Sequence, residues 1–333
     1  MAFPTSTTDV IVGAVESRRK KLADNVLKNN ALLTHLNEKG RVLPITGGNI
    51  ILEELMFAEN GNAGYYSGYD LLPTAAQDVL SAAQFQLKQA AVPVSMSGLE
   101  GLQNDGKEKQ IDLMQGRLQV AEKSLKNIIT QGAYSDGTIF NGKSLVGLDA
   151  AVEATLTANQ TSTYGGISRS TWSFWRSQCT SLTADISSAT KVQNVMNTLY
   201  VACCRGSDTP DFGIMDNTFW VDWMGSLQQI QRITSTSKAT LGFQTAQYMN
   251  ADIYFDGGIG GFAGDKVAGH GTLYFLNSDY LKFRPHKQRN FVPLSPDRRY
   301  AVNQDAEVAI IAFAGAITAS GAQFQGRVLA TTT

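Results

Sequence analysis

The most regular pattern of apolar and polar positions lies in residues 107–132. Charged and polar residues occupy most of the positions between apolar residues that recur at intervals of three and four: Ile111, Met114, Leu118, Ala121, Leu125 and Ile128. This spacing predicts an amphipathic helix, which Gly132 can end. At 1.5 Å per residue the helix would be about 37 Å long, which is long for one helix of a compact domain.

Residues 49–58 and 84–96 are predicted to be strands, because apolar Phe85 and Leu87 alternate with polar neighbours in the second segment. A stretch rich in glycine and tyrosine separates them, so the two strands would form a long hairpin. A two-stranded hairpin is only marginally stable alone, and we expect it to rest on the protein body or on another copy. Large amphipathic side chains suit such an interface, and the stretch supplies three: Tyr65, Tyr66 and Tyr69.

The remaining chain combines helices with short strands. Residues 1–40 carry a partial apolar stripe that predicts a helical arm. Helices are also predicted over 190–204 and over 217–233, the latter with Asn217 as its cap. The predicted strands are 211–216, 251–256, 271–277, 280–285, 306–315 and 324–330.

Charge is sparse in this chain. Charged residues make up 17% of the 333 residues, against roughly 25% in an average soluble domain, and the net charge is -1. A neutral polar surface suits contact with other protein copies, and the net charge provides no global field to attract DNA or a membrane. The exception is a basic cluster on the predicted arm: Arg18, Arg19, Lys20 and Lys21. Its simplest interpretation is a solvated helix face, and the alternative is contact with an acidic neighbouring subunit or with nucleic acid.

Hydropathy and cysteine content exclude two further classes of protein. No apolar run approaches the roughly 20 residues of a membrane-spanning helix, so we expect no membrane association. Three cysteines, two of them adjacent, cannot build a disulfide framework, and reduced thiols in a cytoplasm are the simple interpretation.

One segment matches a catalytic motif. GTIFNGKS, residues 137–144, fits the phosphate-binding P-loop pattern, and Asp256 is conceivable as a partner acid for magnesium. A P-loop needs a buried strand leading into its first glycine, whereas this segment follows the long predicted helix. Phe140 also places a bulky ring where the backbone would wrap a phosphate. We interpret the segment as an ordinary Gly/Asn turn, with a nucleotide-hydrolysing enzyme as the minor alternative.

Other candidates for chemistry are isolated. The three histidines, His35, His270 and His286, have no metal-ligand spacing and are expected at the surface or an interface. The four tryptophans form two W-x-x-W pairs, best explained by packing. No nucleophile-elbow motif is present. We therefore predict no enzymatic activity, no cofactor and no metal site.

The order of elements and three stretches of sequence resemble the major capsid proteins of tailed bacteriophages. LVGLDAAV (145–152) and STYGGISRSTWSFWRS (162–177) are similar to the family's run after its long helix. GTLYFLNSDYLKFRPH (271–286) resembles the strand pair that re-enters the peripheral domain, and AGAITASGAQFQGRVL (314–329) resembles the closing strands. The resemblance covers nearly the whole chain from about residue 40.

The resemblance implies an α+β fold with four parts. These are an N-terminal arm (1–42), an extended β-hairpin loop (43–97), a peripheral domain (98–189 and 279–333) with the spine helix 107–132, and an axial domain (190–278). It also implies pentamers and hexamers that form an icosahedral shell around double-stranded DNA, in a virion assembled in the host cytoplasm. The extended loop would lie over an adjacent subunit.

Partners follow from the same resemblance. We expect a separate scaffolding protein and a portal, no N-terminal propeptide, non-specific contact with packaged DNA, and no small-molecule substrate. Some members of the family join subunits through a Lys–Asn isopeptide bond, and Lys88, Asn303 and Glu307 are conceivable in those roles without support from a local motif. A nanocompartment shell around enzyme cargo is the alternative function, from which sequence separates a viral shell poorly.

Overall fold

The computed structural model describes residues 30–97, 107–180, 184–185, 189–227, 245–256, 270–294 and 306–331. The helices are α1 (Ala31–Glu38), α2 (Lys107–Tyr134), α3 (Ile139–Gly142), α4 (Leu148–Ala151), α5 (Leu156–Thr161), α6 (Ala189–Cys203) and α7 (Asn217–Leu227). The strands are β1 (Ile50–Met56), β2 (Leu80–Gln86), β3 (Lys88–Ser97), β4 (Thr163–Tyr164), β5 (Ile167–Ser168), β6 (Gln178–Cys179), β7 (Ala184–Asp185), β8 (Phe212–Met215), β9 (Thr245–Tyr248), β10 (Ala251–Phe255), β11 (His270–Leu276), β12 (Leu281–Pro293), β13 (Ala306–Ala319) and β14 (Gly326–Thr331).

The long helix α2 confirms the periodic pattern of the sequence. It has 28 residues, and from Leu118 onwards it buries one face, because the apolar positions recur every three or four residues. That face includes Leu118, Ala121, Leu125 and Ile129. At its end the chain turns back sharply, and Gly147 donates its N–H to the Ser135 carbonyl. A side chain at residue 147 would overlap the backbone of α2, so only glycine allows this approach.

Two sheets form the body of the protein. In the three-stranded sheet, antiparallel β13 lies between β12 and β3. The larger sheet has seven strands in the order β6-β14-β11-β8-β10-β9, with β7 also beside β14. It mixes parallel pairs, such as β8 with β10, and antiparallel pairs, such as β8 with β11.

Buried apolar side chains form two clusters. One joins α1, α2, the hairpin of β1 and β2, and the three-stranded sheet. The other packs α6 and α7 on the large sheet, with Met196, Trp223 and Phe275 fully buried. A peripheral and an axial domain would each need such a core, while the domain boundaries given above stay a prediction.

Several predicted elements need correction. The strand predicted over 84–96 is two strands, since β2 ends at Gln86 and β3 leaves the hairpin to pair with β13. The strand predicted over 280–285 continues to Pro293, because β12 passes through register shifts and resumes its pairing with β13. The cap of α7 is Asp216 rather than Asn217, and its carboxylate accepts the Phe219 N–H at 2.8 Å.

The prediction for His35 is wrong. This side chain is buried rather than at the surface, with Nε2 3.2 Å from an Asp211 oxygen and Nδ1 3.3 Å from the Tyr254 hydroxyl. Its ring stacks on Phe212 at 4.1 Å between centroids. His35 therefore joins helix α1 to the strands β8 and β10 and is part of the core.

Candidate assembly interface

The hairpin stem, β1 paired with β2, has one face on the body and one face in solvent. Seven residue pairs, from Ile50 with Gln86 to Met56 with Leu80, connect the two strands. Side chains alternate between the faces because the strand period is two, and β1 alternates strictly between exposed and buried residues. The solvent face is unusually apolar, with Ile50, Leu52, Met56 and Leu80 all exposed.

A buried carboxylate fixes the stem to the three-stranded sheet. Glu53 is 3% exposed and accepts hydrogen bonds from Lys282 at 2.6 Å, from Arg284 at 2.6 and 2.9 Å, and from the Thr318 hydroxyl at 2.9 Å. Burial by itself would raise the pKa of the Glu53 carboxyl, but these hydrogen bonds outweigh it and hold the pKa below its usual value. The stem is therefore clamped by charge-assisted hydrogen bonds.

Aromatic packing on strand β2 also holds the buried face of the stem. Phe85 meets the Tyr164 ring edge-on at 5.3 Å, and the Gln84 N–H donates to the Gly165 carbonyl at 2.8 Å. Gly165 has φ +58°, and a Cβ there would lie 3.1 Å from both Ala83 and Phe85. A side chain at residue 165 would thus strain the backbone and push the stem outwards.

The hairpin tip, residues 57–79, projects from the body. Between residues 58 and 78 every side chain is exposed except the half-buried Asn62. The tip is shaped by its own short turns, since Ser67 donates its N–H to an Asp70 carboxylate oxygen at 2.9 Å and Asn62 donates to the Ala75 carbonyl at 2.5 Å. The exposed fraction of each residue is 110% for Tyr65, 67% for Tyr66, 105% for Tyr69 and 98% for Leu71.

These exposures are consistent with the predicted contact role of Tyr65, Tyr66 and Tyr69. The role itself stays a prediction, since a second copy must supply the contact. The neighbouring leucines Leu71 and Leu72 are also exposed and were not predicted as contact residues. The signal that could have found them is DLLP (70–73), two leucines placed between an acid and a proline in a segment too polar to bury them.

Lys88 lies at the base of the hairpin rather than on its projecting part. As the first residue of β3 it stands opposite Gly315, and its ammonium donates to the Gly142 carbonyl at 2.9 Å. Glu307 faces Met96 at the far end of the same strand pair, so Lys88 and Glu307 are far apart within one subunit. Asn303 lies outside the described residues, and the isopeptide roles stay a prediction between subunits.

The GTIFNGKS segment does not have the geometry of a P-loop. Helix α2 runs to Tyr134 immediately before it, so no strand leads into Gly137. Phe140 and Asn141 both have positive φ, near +57°, which gives a tight left-handed turn. Lys143 and Ser144 instead line a cavity of about 170 Å³, together with Lys88. Two segments that are far apart in the sequence thus meet at one place.

The remaining candidates are partly described. The basic cluster Arg18, Arg19, Lys20 and Lys21 lies outside the described residues. Within the part of the chain that the structure describes, no group of three or more His, Cys, Asp or Glu residues could hold a metal ion. Over the same residues, no helix is both long and apolar enough to span a membrane.

No protein-family model and no curated protein matches the sequence. Solved structures do match. A subunit of the cyanophage A-1(L) capsid superposes with a TM-score of 0.66 over 88% of this chain and 91% of its own, at 15% identity. The fold is that of phage capsid proteins. This confirms the resemblance to tailed-phage major capsid proteins, and the α+β class, at the level of the fold.

Two further capsids share this fold. The capsid of a native gene transfer agent particle matches with a TM-score of 0.55 at 10% identity, covering 89% of this chain and 90% of its own. The capsid of Myoviridae phage XM1 matches with a TM-score of 0.50 at 12% identity, covering 88% and 90%. Identities this low leave the capsid fold as the shared property.

Proposed function

We propose that this chain is the major capsid protein of a tailed phage and assembles as pentamers and hexamers into an icosahedral shell around double-stranded DNA. The observation that carries the proposal is the superposition on the cyanophage A-1(L) capsid subunit over most of both chains. The shell is assembled in the host cytoplasm with a scaffolding protein and a portal, and the protein catalyses no reaction.

The hairpin supports this proposal on physical grounds. A monomer gains nothing from a tip whose tyrosines and leucines stay in water, because exposed apolar surface of this kind is stabilising only when it is buried. The stem, in contrast, is fixed by Glu53 and by Phe85, so the tip is held in a defined direction. A preorganised arm loses little entropy when it binds a neighbour.

Electron microscopy and sedimentation of the purified protein test the proposal. We expect closed polyhedral shells or free pentamers and hexamers. Nuclease-resistant double-stranded DNA in particles purified from cells supports the viral role, whereas enzyme cargo without DNA would support the nanocompartment instead. A monodisperse monomer at every concentration and salt, also when coexpressed with a scaffolding protein, would overturn the proposal.

A further inference from the structure

The cavity beside Lys88 and Lys143 is mainly apolar inside and cationic at its rim. Its inner wall comes from β3, the second half of α2 and β13, and includes Ala90, Ile129 and Phe313. Exposed Phe140 and Lys143 form part of the opening. At about 170 Å³ it exceeds the roughly 150 Å³ that accommodates a benzene ring in an engineered apolar cavity. One large apolar side chain fits inside.

Among the residues that the structure describes, no acid pairs with the two lysines at the opening. Neither Lys88 nor Lys143 forms an ion pair with any described residue, and Lys88 contributes its ammonium to a backbone carbonyl. The opening therefore favours an occupant that carries an acid next to its apolar side chain.

The hairpin tip has that combination. Residues 57–79 contain the acids Glu59, Asp70 and Asp78 and no lysine or arginine. Leu71, which follows Asp70 directly, is 98% exposed. The Ser67 N–H binds one carboxylate oxygen of Asp70 and thereby fixes the acid at the turn that presents Leu71. The tip is thus complementary to the cavity in charge and in side-chain size.

The tip of the same subunit stays away from its own cavity. Lys88 follows the stem at its base, beside the pair of Ile50 with Gln86, while the tip begins beyond Met56 and Leu80 at the opposite end. Seven residue pairs lie between them, and at about 3.4 Å per residue the stem holds the two about 20 Å apart. A hairpin tip that docks in this cavity therefore has to come from another copy of the chain.

We propose that Leu71 at the hairpin tip of one subunit inserts into the cavity of a second copy, with Asp70 beside Lys88 and Lys143 of that copy. This inference rests on the proposed function, since it specifies how one capsid subunit contacts the next. It gives the GTIFNGKS segment a role as part of a receptor for a protein side chain.

Crosslinking within assembled particles tests the contact. The variant Leu71→Cys with Lys143→Cys is assembled and treated with a short bismaleimide, which joins two nearby thiols irreversibly. We expect covalent multimers on a reducing denaturing gel, at several times the level seen with either single variant. The single variants account for the native cysteines, Cys179, Cys203 and Cys204.

A matched control uses Leu71→Cys with Lys123→Cys, because Lys123 is exposed on the same helix that lines the cavity but points away from it. If shells form and the Lys143 pair links no better than this control, the docking site is wrong while the proposed function stands. If wild-type protein forms neither shells nor capsomers, the proposed function fails, and the docking site fails with it.

A second measurement does not depend on crosslinking. Leu71→Ser is expected to raise the critical concentration for assembly at least about tenfold, because each subunit loses one buried leucine. Ala90→Leu, which fills the cavity from the inward face of β3, should raise it by a similar factor, and the double variant should be no worse than either single variant. Independent, additive effects of the two substitutions would contradict the contact.

Discussion

Glu53 and Arg284 form a two-point contact, in which both Nε and Nη2 of the guanidinium donate to one carboxylate oxygen at 2.9 and 2.6 Å. Glu53 belongs to the hairpin stem and Arg284 to the three-stranded sheet, so the contact decides where the hairpin leaves the body. Lys282 donates to the other carboxylate oxygen at 2.6 Å. Two cations therefore face one acid at the middle of the hairpin stem.

Glu53→Gln is expected to destabilise the subunit by about 2–3 kcal/mol. Loss of one partner from a fully buried ion pair costs about 3–5 kcal/mol, and partial exposure of Lys282 and Arg284 reduces this penalty. Urea unfolding of unassembled subunits at low concentration measures the difference. The control is Glu54→Gln, an exposed neighbour on the opposite stem face, for which we expect a change within about 0.5 kcal/mol. Equal effects of the two substitutions would refute the clamp.

The same clamp predicts acid sensitivity. Because hydrogen bonds hold the pKa of Glu53 below its usual value, the folded state binds the proton less tightly than the unfolded state. The stabilisation is complete above the unfolded-state pKa, which is about 4.3, and is lost as the pH falls towards the folded-state pKa. We expect the free energy of unfolding of Glu53→Gln to approach that of wild type as the pH falls from 7 to 3. If the unfolding free energies of wild type and Glu53→Gln change in parallel with pH, the depressed pKa of Glu53 is refuted.

Removal of the tip aromatics should separate folding from assembly. The triple variant Tyr65→Ser, Tyr66→Ser, Tyr69→Ser is expected to leave the free energy of unfolding within about 0.5 kcal/mol of wild type, since all three side chains are exposed in the subunit. Its critical concentration for assembly should rise at least about tenfold, because aromatic anchors dominate interface energies. Light scattering and sedimentation measure it. Phe85→Ser, in the buried face of the stem, should instead impair folding.

Gly165→Ala should lower the free energy of unfolding more than Gly166→Ala does. Both glycines have positive φ, +58° and +76°, so each alanine incurs the left-handed backbone penalty of about 1–2 kcal/mol. Only at residue 165 does the added Cβ also press on Ala83 and Phe85 at 3.1 Å, whereas at residue 166 the nearest side-chain atom is 3.8 Å away. We expect a difference of about 1 kcal/mol in urea unfolding. Equal losses of unfolding free energy would show that the stem moves aside for the added methyl group without penalty.

Local periodicity was enough to predict the long helix α2 and most strands, because their signals lie within one segment. The division between β2 and β3 was not predictable in this way. Both segments alternate, and the break at Leu87 exists because the two strands pair with different partners, β1 and β13. Burial of Glu53 likewise depends on Lys282, which lies 229 residues later in the chain.

The candidate interface was predictable in part. Gly- and Tyr-rich composition indicated an exposed tip, and the tyrosines are exposed there. The cavity was not predictable, since its wall combines β3, α2, β13 and the turn at Phe140. His35 shows the same limit, because Asp211 and Tyr254 reach it from distant strands and convert an apparent surface residue into a core residue.

The stem is fixed to the protein body, whereas the tip is exposed, so the two parts are expected to tolerate substitutions differently. Substitutions in the stem alter the fold of every copy, and the buried pairings of Glu53 and Phe85 restrict them. Under the proposed contact, substitutions in the tip act on the neighbouring subunit that receives it. Homologous chains should therefore differ most at tip positions, provided that the residues of the receiving cavity change together with them. When two such homologues are mixed, each is expected to assemble into particles of its own kind.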